Sequence, residues 1–214
     1  MRYLIVCGGK IDKEFGLNEI KTDGIDAIIA ADSGMDFLYE NGVTPDIIVG
    51  DFDSATTKAL EFFERKGQTE IHRLNPIKDD TDTEYAIRLA IREGARSIVL
   101  LGATGSRIDH VLGNISLLGI GLESKTDISI IDTNNRIRMA DKPVTIEKSA
   151  QYGRFVSLIA LTDDNEVSLK GFKYPVTDYS FDRFTSLGIS NEIVDDHALI
   201  DIHRGKFIII ESKD

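Results

Sequence analysis

An α/β fold, with a parallel sheet covered by helices on both faces and then a small antiparallel β-sandwich, is predicted by three features of this 214-residue sequence. Up to about residue 133, short continuous apolar runs alternate with segments of helical periodicity, the pattern of strands buried on both faces. Five of those runs end in glycine or in polar and acidic residues, the composition of ligand-binding strand tips in open sheets. After about Asn134 the segments become short and strand-like, with little helical periodicity between them.

Strands are predicted at residues 3–7, 27–31, 47–49, 70–74, 98–101 and 128–131. The first ends in Gly8-Gly9-Lys10, the second in Asp32-Ser33-Gly34 and the third in Gly50-Asp51-Phe52-Asp53-Ser54. The fourth runs into Asn75-Pro76-Ile77-Lys78-Asp79, and the fifth ends in Gly102-Ala103-Thr104-Gly105. Ser54 is placed to cap a helix that carries Leu60, Phe62 and Phe63 and stops at Gly67. Thr81 with Glu84 forms a capping-box pattern for a helix that stops at Gly94. The helix after the fifth strand has an apolar stripe, Ile108, Val111, Leu112, Ile115 and Leu118, and sets Arg107, His110 and Asn114 on a different face. These elements make residues 1–133 a Rossmann-like α/β domain. Residues 134–214 read as the β-sandwich, with strands at 155–161, 166–169, 198–202 and 207–210 and a tight turn at Arg204-Gly205 joining the last two as a hairpin.

Composition narrows the function. The apolar fraction of 42% is ample for a packed core, and no window approaches the roughly 20 apolar residues of a membrane span. The chain opens directly on a strand without signal-peptide regions and has one cysteine, so a soluble, cytoplasmic protein is expected. A net charge of −11 with no basic run disfavours nucleic acid and anionic membranes as partners.

The two acidic clusters around Asp51 and Asp53 and around Asp79 and Asp82 carry most of the chemical information. Carboxylates crowded at neighbouring strand ends repel one another unless a cation sits among them, which points to Mg²⁺ and a phosphorylated substrate. Taken singly, Asp53-Ser54 and Asp80-Thr81 are equally good helix-capping sequences. Gly102 and Gly105 leave backbone N–H groups open to an anion, and Arg107 adds a fork suited to phosphate. Neither the P-loop nor the dinucleotide fingerprint is present, so a nucleotide site here is built differently. The four histidines have no zinc-like spacing.

Five segments, in this order, resemble the motif set of thiamine pyrophosphokinases. They are Ala31-Asp32-Ser33-Gly34, Gly50-Asp51-Phe52-Asp53-Ser54, Lys78-Asp79-Asp80-Thr81-Asp82, Gly102-Ala103-Thr104-Gly105-Ser106-Arg107-Ile108-Asp109-His110 and Ser186-Leu187-Gly188-Ile189-Ser190-Asn191-Glu192. The resemblance implies transfer of a pyrophosphoryl group from ATP to thiamine with AMP as the second product. It also implies a catalytic α/β domain, a thiamine-binding β-sandwich and a homodimer with active sites between subunits. Asp51, Asp53, Asp79 and Asp82 would hold Mg²⁺, and one of them would accept the hydroxyl proton. Thr104, Arg107, Asp109, His110 and Asn114 would contribute to the nucleotide pocket, with Asp32 and Gly34 lining the neighbouring tip. Ser186, Ser190 and Asn191 would address the aminopyrimidine, with Phe172, Tyr174, Tyr179 or Phe184 as its aromatic neighbour. Where this chain has Ser33, the family commonly has glycine.

Two other functions fit part of the pattern. An Mg²⁺-dependent phosphatase would use Asp51 as nucleophile and Asp53 as general acid, but leaves the 102–114 segment without a role. A non-catalytic nucleotide or thiamine sensor would use the β domain as its binding module.

Overall fold

The computed structural model describes residues 1–52, 57–75 and 80–214, with Thr57 described by its backbone only. The chain divides into two compact units, Met1–Thr133 and Asn134–Asp214.

The first unit holds β1 (Arg2–Val6), β2 (Ala27–Ala31), β3 (Ile47–Gly50), β4 (Glu70–Arg73), β5 (Ser97–Leu101) and β6 (Asp127–Ile131). They pair in parallel in the order β6-β5-β1-β2-β3-β4. Parallel register puts Val6 beside Ala30 and Leu101, Ala30 beside Ile48, and Leu101 beside Ile131. One face of the sheet is therefore a continuous apolar layer. Helices α1 (Lys13–Ile20), α2 (Gly34–Glu40) and α3 (Thr57–Lys66) pack on it through Phe15, Met35, Leu38, Ala59 and Phe63. The alternate residues Ile5, Ile29, Val49 and Leu100 are fully buried on the opposite face, where α4 (Asp82–Arg92) lies over β1, β2 and β3. Each large side chain so buried contributes about 1.5–3 kcal/mol. Helices α5 (Ile108–Leu117) and α6 (Gly119–Ser124) complete the unit.

The predicted helix stops hold, with Gly67 at φ 63° and Gly94 at φ 89° in the left-handed conformation that ends helices. Ser54 lies outside the described residues. Only half of the expected capping box at α4 forms: Thr81 Oγ1 accepts from Glu84 N at 3.2 Å, while the Glu84 carboxylate turns to Arg88 at 2.7 Å. An i,i+4 ion pair competes with the return bond and wins. Helices α1, α2 and α6 were not anticipated, since each spans eight residues or fewer, too short for periodicity to stand out.

The second unit is a sandwich of two antiparallel sheets. In one, β12 (Asn191–Glu192), β9 (Phe155–Ala160), β14 (Phe207–Ser212) and β7 (Asn135–Ala140) are adjacent in that order. The other runs β11 (Val176–Ser180), β10 (Glu166–Lys170), β13 (His197–Arg204), β8 (Val144–Glu147). Val156 and Leu158 of β9, Val167 and Leu169 of β10, Ile200 of β13 and Phe207 of β14 meet in one core between the sheets. The expected hairpin at Arg204-Gly205 is corrected here. β13 pairs with β10 and β8, whereas β14 pairs with β7 and β9, so the turn carries the chain from one sheet to the other. A tight turn at Gly205, with φ 90°, satisfies the local sequence in either case, and the inward apolar residues of both strands decide for separate sheets.

Candidate active site

From β1 the chain moves to β2 on one side, and from β5 to β6 on the other, so the topological switch point lies between β1 and β5. There the two tips touch backbone to backbone, with Cys7 N donating to Leu101 O and Gly9 N to Gly102 O, each at 2.8 Å. Close approach of the β1 end to the chain leaving β5 and to the start of α2 explains two of the glycines. Gly102 has φ 70°, and a Cβ there would lie 2.5 Å from Cys7 O; one at Gly34 would lie 2.0 Å from Val6 O. Gly105 is exposed and meets nothing closer than Gly9 Cα at 3.8 Å.

At the neighbouring tips, Asp32, Asp51 and Asp82 each present a carboxylate oxygen such that all three atoms lie within 4.8 Å of one another. All three residues are half-buried. Asp32 follows β2 and its N–H donates to Val49 O at 2.8 Å, Asp51 follows β3, and Asp82 is the first residue of α4. Asp32 at φ 49° and Phe52 at φ 62° are non-glycine residues in the left-handed region, a conformation costing about 1–3 kcal/mol that is retained where function or packing enforces it.

The sequence placed Asp32 in the nucleotide lining, apart from the acidic clusters; the structure groups it with Asp51 and Asp82. The available signal was positional, because Asp32 leaves β2 as Asp51 leaves β3. Asp53 and Asp79 lie outside the described residues. Three clustered, half-buried carboxylates suit a hard, oxygen-preferring divalent cation.

At the β5 tip, Thr104 Oγ1 donates to Asp132 Oδ2 at 2.9 Å and Asn114 Nδ2 to Ala103 O at 2.7 Å. Both side chains brace the tip. The Arg107 fork expected for phosphate instead engages Asp109 through Nε at 3.2 Å and Nη2 at 2.5 Å. That hydrogen bond, with help from the His110 backbone N–H and the charge of Arg107, pulls the Asp109 carboxyl down to about 2. His110 is exposed. The apolar stripe of α5 is covered only in part: Leu118 is buried and Val111 and Ile115 are half-buried, whereas Ile108 and Leu112 are 66% and 59% exposed.

In the second unit, Leu158 N donates to Gly188 O at 2.8 Å and Ser190 N, at φ 60°, to Ser157 Oγ at 3.0 Å. Ser186 O accepts from Ile189 N at 3.2 Å. The buried Asn191 amide closes a ring with Tyr174, accepting from its N–H at 3.1 Å and donating to its carbonyl at 2.9 Å, and it accepts from Glu192 N at 2.9 Å. Of the aromatic candidates, Phe172 is a core residue at 3% exposure and Tyr179 stacks edge-on against Phe181. Tyr174 and Phe184 are more exposed than Tyr179, with Lys173 Nζ and Arg183 Cζ each 5.6 Å from their respective ring centres.

Residues 21–131 match the family model described as the catalytic domain of thiamin pyrophosphokinase. Residues 143–207 match the one described as its vitamin B1 binding domain. The chain belongs to the thiamin pyrophosphokinase family. It is 35% identical over 188 residues to the thiamine pyrophosphokinase of Bacillus subtilis (strain 168), covering 87% of each chain. A crystal structure of the Bacillus subtilis thiamine pyrophosphokinase superposes with a TM-score of 0.89 at 32% identity over the full length of both chains. That of the Geobacillus thermodenitrificans thiamin pyrophosphokinase does so with a TM-score of 0.86 at 29% identity, covering 100% of this chain and 98% of that one. Within this thiamin pyrophosphokinase family framework, the acidic group of the first unit lies in or beside the catalytic-domain match, and the 186–192 segment lies in the B1-binding match.

Proposed function

We propose that this protein transfers the pyrophosphoryl group of ATP to the hydroxyl of thiamine, giving thiamine diphosphate and AMP, with Mg²⁺ held by Asp32, Asp51 and Asp82. The grouping of those three carboxylates at the strand tips of a chain in this family carries the reading. Asp53 and Asp79 join the same acidic set by sequence. Bound Mg²⁺ supplies neutralisation of the triphosphate charge. The chain's own groups do the rest. One carboxylate accepts the thiamine hydroxyl proton as the oxygen bonds to the β-phosphorus and the bridge to the α-phosphate breaks. The N–H groups of the 102–105 turn face the phosphates, and the braces at Thr104 and Asn114 hold that turn in place.

For thiamine, Tyr174 is the aromatic neighbour we favour. The residue is 62% exposed and its backbone is fixed on both sides by Asn191. Ser186 and Ser190 supply the polar contacts, while Asn191 acts by holding Tyr174. A homodimer with active sites between subunits, in the cytoplasm, completes the reading, and the exposed Ile108 and Leu112 of α5 give it an apolar surface to bury. Family membership sets aside the aspartyl phosphatase and the sensor.

The decisive experiment incubates the protein with ATP, Mg²⁺ and thiamine and identifies the products. AMP and thiamine diphosphate in equal amounts are expected; ADP in place of AMP would overturn the proposal.

A further inference from the structure

Four side chains beside the acidic group take no part in the chemistry above: Cys7, His72, Thr83 and Tyr85. They form two contacts. Thr83 Oγ1 donates to Cys7 Sγ at 3.7 Å, tying α4 to the end of β1 near the middle of the sheet. Tyr85 Oη lies 3.3 Å from His72 Nδ1, tying α4 to the edge strand β4. Glu70 Oε1, 2.6 Å from His72 Nε2, holds the imidazole proton on that nitrogen and leaves Nδ1 to accept from Tyr85. Burial pushes the Cys7 thiol up to about 11, so its sulfur stays a neutral, weak acceptor for Thr83.

The placement of these contacts along α4 is informative. From Ala86 onward the helix is anchored by buried Ala86, Ile87, Leu89 and Ala90. Its first turn, residues 82–85, has no buried residue. Asp82 stands in that turn, with Thr83 beside it and Tyr85 one turn on. A single contact would leave the turn a pivot; two contacts to different strands fix both its rotation and its slide along the sheet.

We propose that the Thr83–Cys7 and Tyr85–His72 contacts are positioning contacts that aim the Asp82 carboxylate at Asp32 and Asp51, so that the cation site is formed before the ion arrives. The proposal rests on the assignment of that carboxylate group as a cation site. It gives Cys7 and His72 roles that do not depend on thiol or imidazole chemistry. Groups that orient a metal ligand typically influence affinity by 10–100-fold.

The test uses Thr83→Val and Tyr85→Phe, which remove one hydroxyl each, with His72→Ala and His72→Asn as a pair. Mn²⁺ binding to the nucleotide-free protein is read by the EPR signal of free Mn²⁺, alongside metal-free Tm and the Mg²⁺ dependence of turnover. Thr83→Val and Tyr85→Phe should each weaken Mn²⁺ binding about tenfold, with metal-free Tm and kcat at saturating Mg²⁺ close to wild type. His72→Asn, which keeps an acceptor near Nδ1, should recover most of what His72→Ala loses. In an Asp82→Asn background the hydroxyl deletions should cause no further loss, as expected for groups acting through Asp82. Unchanged Mn²⁺ affinity with a lowered Tm would overturn the proposal, as would an equal loss in the Asp82→Asn background. A wild-type protein that binds no Mn²⁺ would overturn the cation site as well. The Mn²⁺ comparison decides the positioning role even in a protein that forms no AMP.

Discussion

Asp32, Asp51 and Asp82 are carried to one place by β2, β3 and α4, elements whose positions are set by buried apolar side chains on both faces of a sheet. The 186–192 segment of the second unit has no such support beneath most of its length. It is held instead by a hydrogen bond to Ser157 Oγ, one from the Leu158 N–H and those of the Asn191 amide. In the first region polar chemistry and stability reside in different residues, so a carboxylate can change without loosening the frame. In the second they overlap, because the buried amide that stands among the candidate substrate residues is also the clasp.

That contrast can be broken in order of effect. Asp51→Asn keeps the shape and removes one charge, and kcat should fall by about 10²–10³-fold with Tm nearly unchanged. A comparable fall in Tm would mean that the acidic group is structural. Tyr174→Ala should raise the KM for thiamine about tenfold while leaving the KM for ATP alone, as expected for loss of a ring contact. Equal changes in both constants would remove Tyr174 from the thiamine side. Asn191→Ala leaves the Tyr174 and Glu192 N–H groups without their acceptor, and denaturant unfolding should show a loss of about 1–3 kcal/mol. Full stability in that variant would end the distinction between the two regions.

The smallest effect concerns Arg107 and Asp109, on the exposed start of α5. The Asp109 carboxyl is depressed from its ordinary value of 3.8 to about 2, so its favourable pairing is complete above the ordinary value and is lost as pH falls through about 2. An NMR titration of Asp109 should accordingly stay flat as pH falls from 7 to about 4 and turn over only near pH 2. A midpoint near the ordinary carboxylate value would show the pair to be broken in solution, returning Arg107 to the phosphates.

Much of the first region was legible because parallel strands buried on both faces announce themselves as continuous apolar runs, and their tips stand out by contrast. The strand runs ending near Asp32, Asp51 and Gly102 are examples. Thr81 was legible as a cap for the same reason, as a local pattern with a local cause. What escaped was non-local. Nothing near Asp32 in the chain says that Asp82, fifty residues on, shares its site, and nothing near Arg204-Gly205 says that β13 and β14 belong to different sheets. The stripe on α5 was a partial guide for a related reason, since periodicity reports that a face is apolar and not how much of it this chain covers: Leu118 is buried, Ile108 and Leu112 are exposed.

By itself, then, the sequence determined the α/β class, the strand tips where polar residues collect, the family motifs and the chemical character of the acidic residues. The motifs are read by resemblance, and the rest follows from local propensity, hydrophobic period or residue type. Only the tertiary structure decided that Asp32 joins Asp51 and Asp82, that Arg107 meets Asp109, that Asn191 clasps Tyr174, and that Thr83 and Tyr85 reach Cys7 and His72. Except for Arg107 and Asp109, these contacts join residues distant in the chain. Those distances close only when the apolar layers of the sheet and sandwich are packed, and rotamers settle last, within the space that packing leaves.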